Sequence, residues 1–212
     1  MSSWRISLPA AKLSALREDP AFAELLVLAR IANALRFASS AGVSDPDGQL
    51  ADQRRRSSFM LISATLSEAL HTLQRMGRHF RSFPAYGGQI SPLLSDKHVG
   101  GLRRDVLVWL RDKAVFHFDD DVSPIGLVDL EGDWTFAEGV GSDLLSVSYP
   151  LADFVLVRAL LKQQDTEASL KQAYAEILAA TLDLASQMLN ALDTLIGQVL
   201  ASYGLQWEER SA

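Results

Sequence analysis

The sequence predicts an all-α protein, an antiparallel bundle of about five to six helices with one irregular insertion. Apolar residues recur every three or four positions along most of the chain, which is the spacing of one buried helix face. The same stretches are rich in alanine and leucine, which are strong helix formers. Glycine and proline concentrate in a few segments between these stretches, where we expect turns and loops.

Composition indicates a single domain over residues 1–212. A chain of 212 residues with 48% hydrophobic residues is long enough to bury a substantial core. The apolar content and the net charge of −6 exclude a mainly disordered chain. The absence of cysteine excludes a disulfide-stapled scaffold, a cysteine-ligated zinc site and a cysteine nucleophile.

Three helices are predicted in the first part of the chain. A short helix over 10–18 stops before Pro20, whose fixed φ suits the first turn of the next helix. That second helix ends near Gly42, and the turn-forming sequence SDPDG follows at 44–48. The third helix covers about 50–80. Its apolar stripe consists of Phe59, Ile62, Leu66, Leu70 and Leu73.

The middle of the chain alternates between predicted loops and one helix. Residues 82–100 contain two prolines and three glycines, so we expect a connecting loop. A fourth helix is predicted to begin near Gly101. Residues 119–149 have no helical period, and we interpret them as an irregular insertion with a small hairpin around Trp134 and Phe136.

Two further helices complete the predicted bundle. A short helix follows Pro150, and the longest helix of the chain covers 166–203. Apolar residues of the longest helix alternate by four and three, which is a heptad pattern. Such a helix packs either in the centre of a bundle or against a second chain. The stripe consists of Leu178, Leu182, Ala185, Leu189, Leu192, Ile196, Val199 and Tyr203.

Charge is distributed unequally along the chain. Residues 1–111 have a net charge of +6 and residues 112–212 have a net charge of −12. A basic half can indicate a nucleic-acid surface. The alternative is that the two halves form complementary faces that neutralise each other within one fold or a dimer.

Several kinds of protein are not expected. The longest apolar stretch, 177–200, contains two aspartates, so no membrane-spanning helix is predicted. The start MSSWRISLPA lacks the apolar core of a signal peptide, and we expect a cytoplasmic protein. The chain has neither a phosphate-binding GxxxxGK[ST] sequence nor a G-x-S-x-G nucleophile elbow.

We expect neither a metal ion nor another cofactor. His71 and His79 are eight residues apart on a predicted helix, which is not the spacing of metal ligands on one helix face. His117 is followed by an acidic run at 119–121, which we interpret as the end of a helix leading into the insertion.

Arginine, which outnumbers lysine by 15 to 5, forms the candidate RNA-binding groups. Its planar guanidinium suits bidentate contacts with phosphate. Arg103 and Arg104 are predicted in the first turn of the fourth helix, where the helix dipole disfavours cations; this position suggests an anionic partner. The predicted RNA contacts are Arg54, Arg55, Arg56, Arg75, Arg78, Arg81, Arg104 and Lys113.

The string WLRDKAVFHFD at 109–119 contains the candidate catalytic residues. A histidine of near-neutral pKa can transfer protons, and an arginine can bind a phosphate. RNA supplies its own nucleophile, the 2′-hydroxyl, so Arg111 and His117 could cleave it without a metal. The structural alternative is that His117 caps helix carbonyls and Arg111 pairs with a carboxylate such as Asp112 or Asp105.

The same string resembles the R-x(4–6)-H motif of the HEPN superfamily. Arg111 and His117 match the motif with five intervening residues, and Asp112 takes the place of the polar residue that commonly follows the arginine. The resemblance implies an all-α homodimer whose active members are metal-independent endoribonucleases of toxin–antitoxin, phage-defence and RNA-processing systems. It further implies that Arg111 and His117 are catalytic, supported by Asp112, and that an antitoxin-like protein partner can exist. The alternative is a non-catalytic helical module that binds a protein or a nucleotide.

Helix geometry predicts how the motif is completed. Residues six apart on an ideal helix differ by about 120° in direction and about 9 Å along the axis, so Arg111 and His117 do not share a face. Lys113 and His117, four residues apart, do share one. We therefore expect a two-fold dimer in which two chains bring both motifs to one cleft. Asp119 stands where one branch of the superfamily has a tyrosine.

Overall fold

Helices dominate the computed structural model, which describes residues 3–43, 51–115, 122–128, 130, 133, 136–137, 149–161, 167–205 and 208–210. The all-α class is confirmed. The described residues contain eight continuous helical stretches, two more than the six predicted; the additional ones are α4 and α6. The helices are α1 (Ala10–Leu16), α2 (Pro20–Val43), α3 (Ala51–Phe80), α4 (86–95), α5 (97–115), α6 (Val122–Leu127), α7 (Pro150–Leu160) and α8 (Glu167–Ser202).

Two short strands, which the sequence analysis did not predict, bring the two ends of the chain together. The strand β1 (Ser3–Arg5) pairs antiparallel with β2 (Glu208–Arg210). Trp4 lies opposite Glu209 in this pairing. Strands of three residues are too short to show an alternating pattern in the sequence. Their pairing depends on how the helices between them are arranged.

α2 and α3 pack antiparallel along most of their length. Near one end of the pair, the hydroxyl of Ser58 donates a hydrogen bond to the carbonyl oxygen of Ala38. Near the other end, Nδ1 of His79 lies 2.7 Å from Oε2 of Glu24. The predicted stripe of α3 is confirmed, since all five of its residues are buried.

α8 runs antiparallel to α2 and packs within the chain. Arg36 forms an ion pair with Asp193, and the hydroxyl of Tyr203 donates to Oδ2 of Asp19 over 2.7 Å. The predicted heptad stripe is only partly buried: Leu182 is exposed. The buried face is rotated slightly from the prediction and shares one core with α2 and α3. It includes Thr181, Leu184, Ala185, Met188, Ala191, Leu192, Leu195 and Val199.

The predicted loop at 82–100 is wrong, because most of it is helical. α4 combines a π-helical turn (Tyr86–Ile90) with an α-helical turn (Ser91–Ser95) that accepts Pro92 in its first turn. The side chain of Asp96 then accepts hydrogen bonds from the backbone N–H groups of His98 and Val99, and so caps α5. The prolines and glycines of this segment lie at helix starts or on the exposed helix surface, where they destabilise a helix least.

α5 alternates between two kinds of helix. Its successive parts are α-helical Lys97–Leu102, π-helical Arg103–Leu107, α-helical Val108–Leu110 and π-helical Arg111–Val115. The helix begins four residues earlier than predicted, so Arg103 and Arg104 do not lie in its first turn. The dipole argument for an anionic partner at these two residues is therefore wrong.

The predicted insertion at 119–149 contains a short helix, α6. α6 packs closely against α7: a Cβ atom at Gly126 would lie 2.1 Å from the carbonyl oxygen of Val155. Phe136 and Tyr149 are exposed, and their rings meet edge-on with centroids 6.0 Å apart. The hairpin predicted around Trp134 lies mainly outside the described residues.

A second, smaller apolar cluster fixes α5 against α3. Phe59 of α3 packs with Val106 and Leu110 of α5. The ring of Tyr174 from α8 meets Phe59 edge-on at 5.5 Å. This cluster holds the two helices side by side, and a cleft opens between them near Gln74 and Arg103. None of the described helices combines the length and the apolar character needed to cross a bilayer.

Candidate nucleic-acid interface

Two arginines of α5 bond to polar side chains of α3 along the groove between these helices, named here the α3–α5 groove. Nη1 of Arg103 donates to Oε1 of Gln74 over 2.9 Å. Nη1 of Arg111 donates to Oε1 of Glu68, also over 2.9 Å. Since residue numbers rise on α5 as they fall on α3, the helices are antiparallel. Each arginine opens one of the π-helical segments of α5.

Carboxylates from two elements hold Arg111 at the surface of the groove. Besides its bond to Glu68, Nε of Arg111 donates to Oδ1 of Asp112 over 2.7 Å. The hydrogen bond that Arg111 donates to Asp112, together with the negative charge of Asp112, raises the pKa of Arg111 above its usual value, despite partial burial. The guanidinium side chain stays 28% exposed, and Nη2 has no partner among the described residues.

The contact between Arg111 and Asp112 agrees with two interpretations. Such a contact is expected if Asp112 supports Arg111 as the HEPN resemblance implies, and it is equally expected if Arg111 only pairs with a carboxylate for structural reasons. With both carboxylates ionised, Arg111, Asp112 and Glu68 together have a net charge of −1. This group therefore does not attract phosphate by its net charge.

His117 lies outside the described residues, as do Asp119, Asp120 and Asp121. The pairing of Arg111 with His117 therefore stays a prediction. Lys113 is partly exposed within the last π-helical segment of α5. Because that segment is π-helical, the angles of an ideal α-helix do not apply to residues 111–115.

The two predicted arginine groups of α3 lie at opposite ends of that helix. Arg54 and Arg75 are 21 residues apart on it, a rise of about 30 Å. Arg54 and Arg55 are exposed, whereas Arg56 is half-buried and its Nε lies 2.9 Å from Oδ2 of Asp153. Glu68, and with it Arg111, lies between the two groups.

Four arginines beside the groove form no ion pair with any described carboxylate. We call Arg75, Arg78, Arg81 and Arg103 the arginine cluster. Arg75, Arg78 and Arg81 are exposed, and Arg78 lies one helical turn beyond Gln74, the partner of Arg103. Positive charge is therefore concentrated at the end of α3 nearest Arg103, rather than around Arg111.

A cleft of about 400 Å³ opens in the same part of the groove. Apolar side chains of α3, α4 and α5 form much of its wall, and Gln74, Arg103 and Arg104 supply its polar groups. Arg104 is neutralised: its Nε and Nη2 donate to the two carboxylate oxygens of Asp105 over 2.7 and 2.9 Å. This bond lowers the pKa of Asp105 below its usual value.

The sequence analysis missed the two α3 residues that bond to the arginines of α5. No motif marks Gln74, and only the antiparallel packing reveals that it and Glu68 bond to these arginines. Glu68 and His71 also form a Glu-x-x-His pair, a spacing found in carboxylate-bridged metal sites. Within the described ranges, however, no three His, Asp or Glu side chains converge to hold a metal ion.

The chain matches no protein-family model, and comparisons with curated proteins and with solved structures find no significant similarity. The resemblance to the HEPN superfamily therefore rests on the motif at 109–119 and on the helical class of the fold.

Proposed function

We propose that the chain is a metal-independent endoribonuclease of HEPN type that binds RNA along the α3–α5 groove. Arg111 contacts the scissile phosphate, His117 transfers protons, and Asp112 orients Arg111. The observation that supports this most is the position of Arg111. Two carboxylates fix it at the surface, while one guanidinium nitrogen has no partner among the described residues.

In this proposal, the arginine cluster attracts the RNA and Arg111 takes part in the reaction. Because the carboxylates beside Arg111 neutralise it, long-range attraction for RNA comes from the arginine cluster. Arg111 then acts at short range, through a hydrogen bond that strengthens as negative charge grows on the phosphate oxygens in the transition state. The 2′-oxygen of RNA attacks phosphorus, and the bond from phosphorus to the 5′-oxygen breaks. His117 takes the proton from the 2′-hydroxyl and returns a proton to the leaving 5′-oxygen, so a 2′,3′-cyclic phosphate and a 5′-hydroxyl end are formed.

The proposed enzyme is a homodimer. We place the two motifs of a two-fold homodimer in one cleft, because the resemblance to the HEPN superfamily implies a dimer. An antitoxin-like protein partner would cover this cleft. A second candidate function is a module that holds RNA through the arginine cluster without cutting it, with Arg111 only a structural partner of Glu68 and Asp112.

Cleavage of a single-stranded RNA in the presence of EDTA tests the catalytic proposal. We expect Arg111→Ala and His117→Ala each to lower the cleavage rate by about 10²–10⁴-fold. Arg36→Ala is a matched control, because Arg36 also pairs with a carboxylate but lies on the distant α2–α8 contact. Circular dichroism and the melting temperature check that each variant is folded.

The outcomes separate the two candidate functions. Equal cleavage by the wild type and both variants contradicts the catalytic roles. RNA binding without any cleavage supports the binding module instead. Mixing the Arg111→Ala and His117→Ala chains tests the dimer: a site that needs both chains regains part of its activity, whereas a site within one chain stays inactive.

A further inference from the structure

The cleft of the α3–α5 groove combines one uncompensated cation with an apolar wall. Arg103 bonds to the neutral amide of Gln74, and no described carboxylate forms an ion pair with it. Arg104, on the same rim, is already bound to Asp105. The cleft thus holds one guanidinium whose charge a ligand can neutralise.

The rest of the cleft suits a flat organic group. Leu70 from α3, Leu94 from α4, and Val99 and Val108 from α5 line it. Its volume of about 400 Å³ lies in the range of small-molecule binding sites, which pair apolar walls with a few polar groups. A ligand that fits has an apolar or aromatic body and one anionic group.

We propose that this cleft binds one nucleotide of the RNA substrate, with the phosphate on Arg103 and the base against the apolar wall. Gln74 lies at the rim, and its amide carries both a donor and an acceptor, which is the combination that reads base edges. Arg78 lies one turn further along α3 and extends the positive surface towards the neighbouring phosphate. The identification of the nucleotide as part of RNA rests on the proposed function.

The position of the cleft relative to Arg111 defines its role. Arg103 and Arg111 are eight residues apart on α5, a rise of about 12 Å or slightly less where the helix is π-helical. A strand lying along the groove contacts both residues, so the cleft selects a nucleotide a short distance from the bond that is cut.

Two neighbouring glycines provide a steric test with a matched control. Gly100 lines the cleft, whereas Gly101 does not. A Cβ atom at either position would meet no atom within 4 Å beyond its own stretch of helix, so nothing obstructs the first atom of an added side chain at either one. Gly100→Leu places that side chain in the cleft, and Gly101→Leu adds the same group to the same helix outside it.

Calorimetry with uridine 5′-monophosphate tests the site without any cleavage. We expect measurable binding to the wild type and to Gly101→Leu, and at least tenfold weaker binding to Gly100→Leu and to Arg103→Gln. Uridine alone and inorganic phosphate alone should each bind at least tenfold more weakly than the nucleotide. Equal binding by Gly100→Leu and Gly101→Leu overturns the proposal. So does phosphate binding as tightly as the nucleotide, or tighter binding of octyl phosphate, which indicates a lipid-type anion.

The same variants separate this inference from the nuclease proposal. Suppose that the wild type and Gly100→Leu cleave RNA equally well and with the same preference for the base near the cut. The cleft then does not bind the substrate, and the nuclease proposal stands. If no RNA is cleaved but the nucleotide binds and depends on Arg103 and Gly100, the cleft is a nucleotide site and the nuclease proposal fails.

Discussion

Single glycines decide how closely the helices of this protein approach each other. A Cβ atom at Gly77 would lie 2.1 Å from the hydroxyl oxygen and 2.9 Å from Cζ of Tyr86. Tyr86 is buried, and its hydroxyl donates to the carbonyl oxygen of Leu73 over 3.4 Å. Gly77 therefore leaves room for a tyrosine ring on the surface of α3.

Gly77→Ala is predicted to destabilise the protein by about 1–3 kcal/mol, the usual cost of overpacking a core. Gly101→Ala, by contrast, should stabilise it by about 0.5–1 kcal/mol, because alanine restricts the unfolded chain and nothing obstructs the added methyl group. Urea denaturation of the three proteins measures both changes. Tyr86→Phe should relieve only part of the strain of Gly77→Ala, since Cζ remains close. A Gly77→Ala variant as stable as Gly101→Ala would contradict this packing.

At the level of elements, one hydrogen bond joins the end of α8 to the start of α2. The hydroxyl of Tyr203 donates to Asp19, whose other carboxylate oxygen accepts the backbone N–H of Ala21. The ring of Phe22 meets Tyr203 edge-on at 5.9 Å. The hydrogen bond from Tyr203 lowers the pKa of Asp19, and burial together with this bond raises the pKa of Tyr203 to about 12.

Tyr203 makes the stability depend on alkaline pH in a defined window. Its folded-state pKa is above the ordinary value of 10.0, so its contribution is complete below pH 10 and is lost as pH rises towards about 12. We expect the contribution to be about 1–2 kcal/mol, after allowance for solvent screening.

Urea denaturation at a series of pH values compares the wild type with Tyr203→Phe. The difference in unfolding free energy should be constant from pH 7 to 9 and should shrink between pH 10 and 12. Tyr149→Phe is the control, because Tyr149 is exposed. A difference that does not change with pH in that window would show that the hydroxyl of Tyr203 is not held by Asp19.

For the molecule as a whole, the two halves of opposite charge neutralise each other only in part. Arg36 and Arg56, from the basic half, pair with Asp193 and Asp153 from the acidic half. The arginine cluster has no such partners among the described residues. The interpretation of complementary faces therefore holds for Arg36 and Arg56, while a nucleic-acid surface on the basic half stays a prediction. Arg75, Arg78, Arg81 and Arg103 therefore keep a charge that no described carboxylate pairs with, at the end of α3 beside Arg103.

Binding of a non-cleavable single-stranded oligonucleotide should depend on salt through the arginine cluster. Each phosphate contact contributes a slope of about −0.7 to the dependence of log K on log salt for single strands. Arg78→Gln combined with Arg81→Gln should therefore reduce the slope by about 1.4 in magnitude. Arg36→Gln removes a charge that is already paired and should leave the slope unchanged. Equal slopes for all three proteins would show that RNA binds elsewhere.

Much of the helical pattern could be predicted from the sequence. Periodic apolar residues and turn-forming sequences located α1, α2, α3, α7 and α8 to within a few residues. The prediction of a loop at 82–100 was wrong because the prolines and glycines of this segment are typical of loops. The capping bond of Asp96 and the packing of Tyr86, which stabilise the helices there, are not visible in the composition. At the groove, the sequence singled out Arg111, Asp112 and the arginines, but it did not indicate Glu68 or Gln74.

The sequence by itself determined the helical class, the unequal charge of the two halves and the local motif around Arg111, because these depend on residues close together in the chain. Only the tertiary structure decided that α8 packs within the chain, which arginines are neutralised, and that Arg103 and Gln74 border a cleft. The bonds of Arg103 to Gln74 and of Arg36 to Asp193 join residues 29 and 157 positions apart. Their physical cause is the shape of the packed helices, which no local pattern contains.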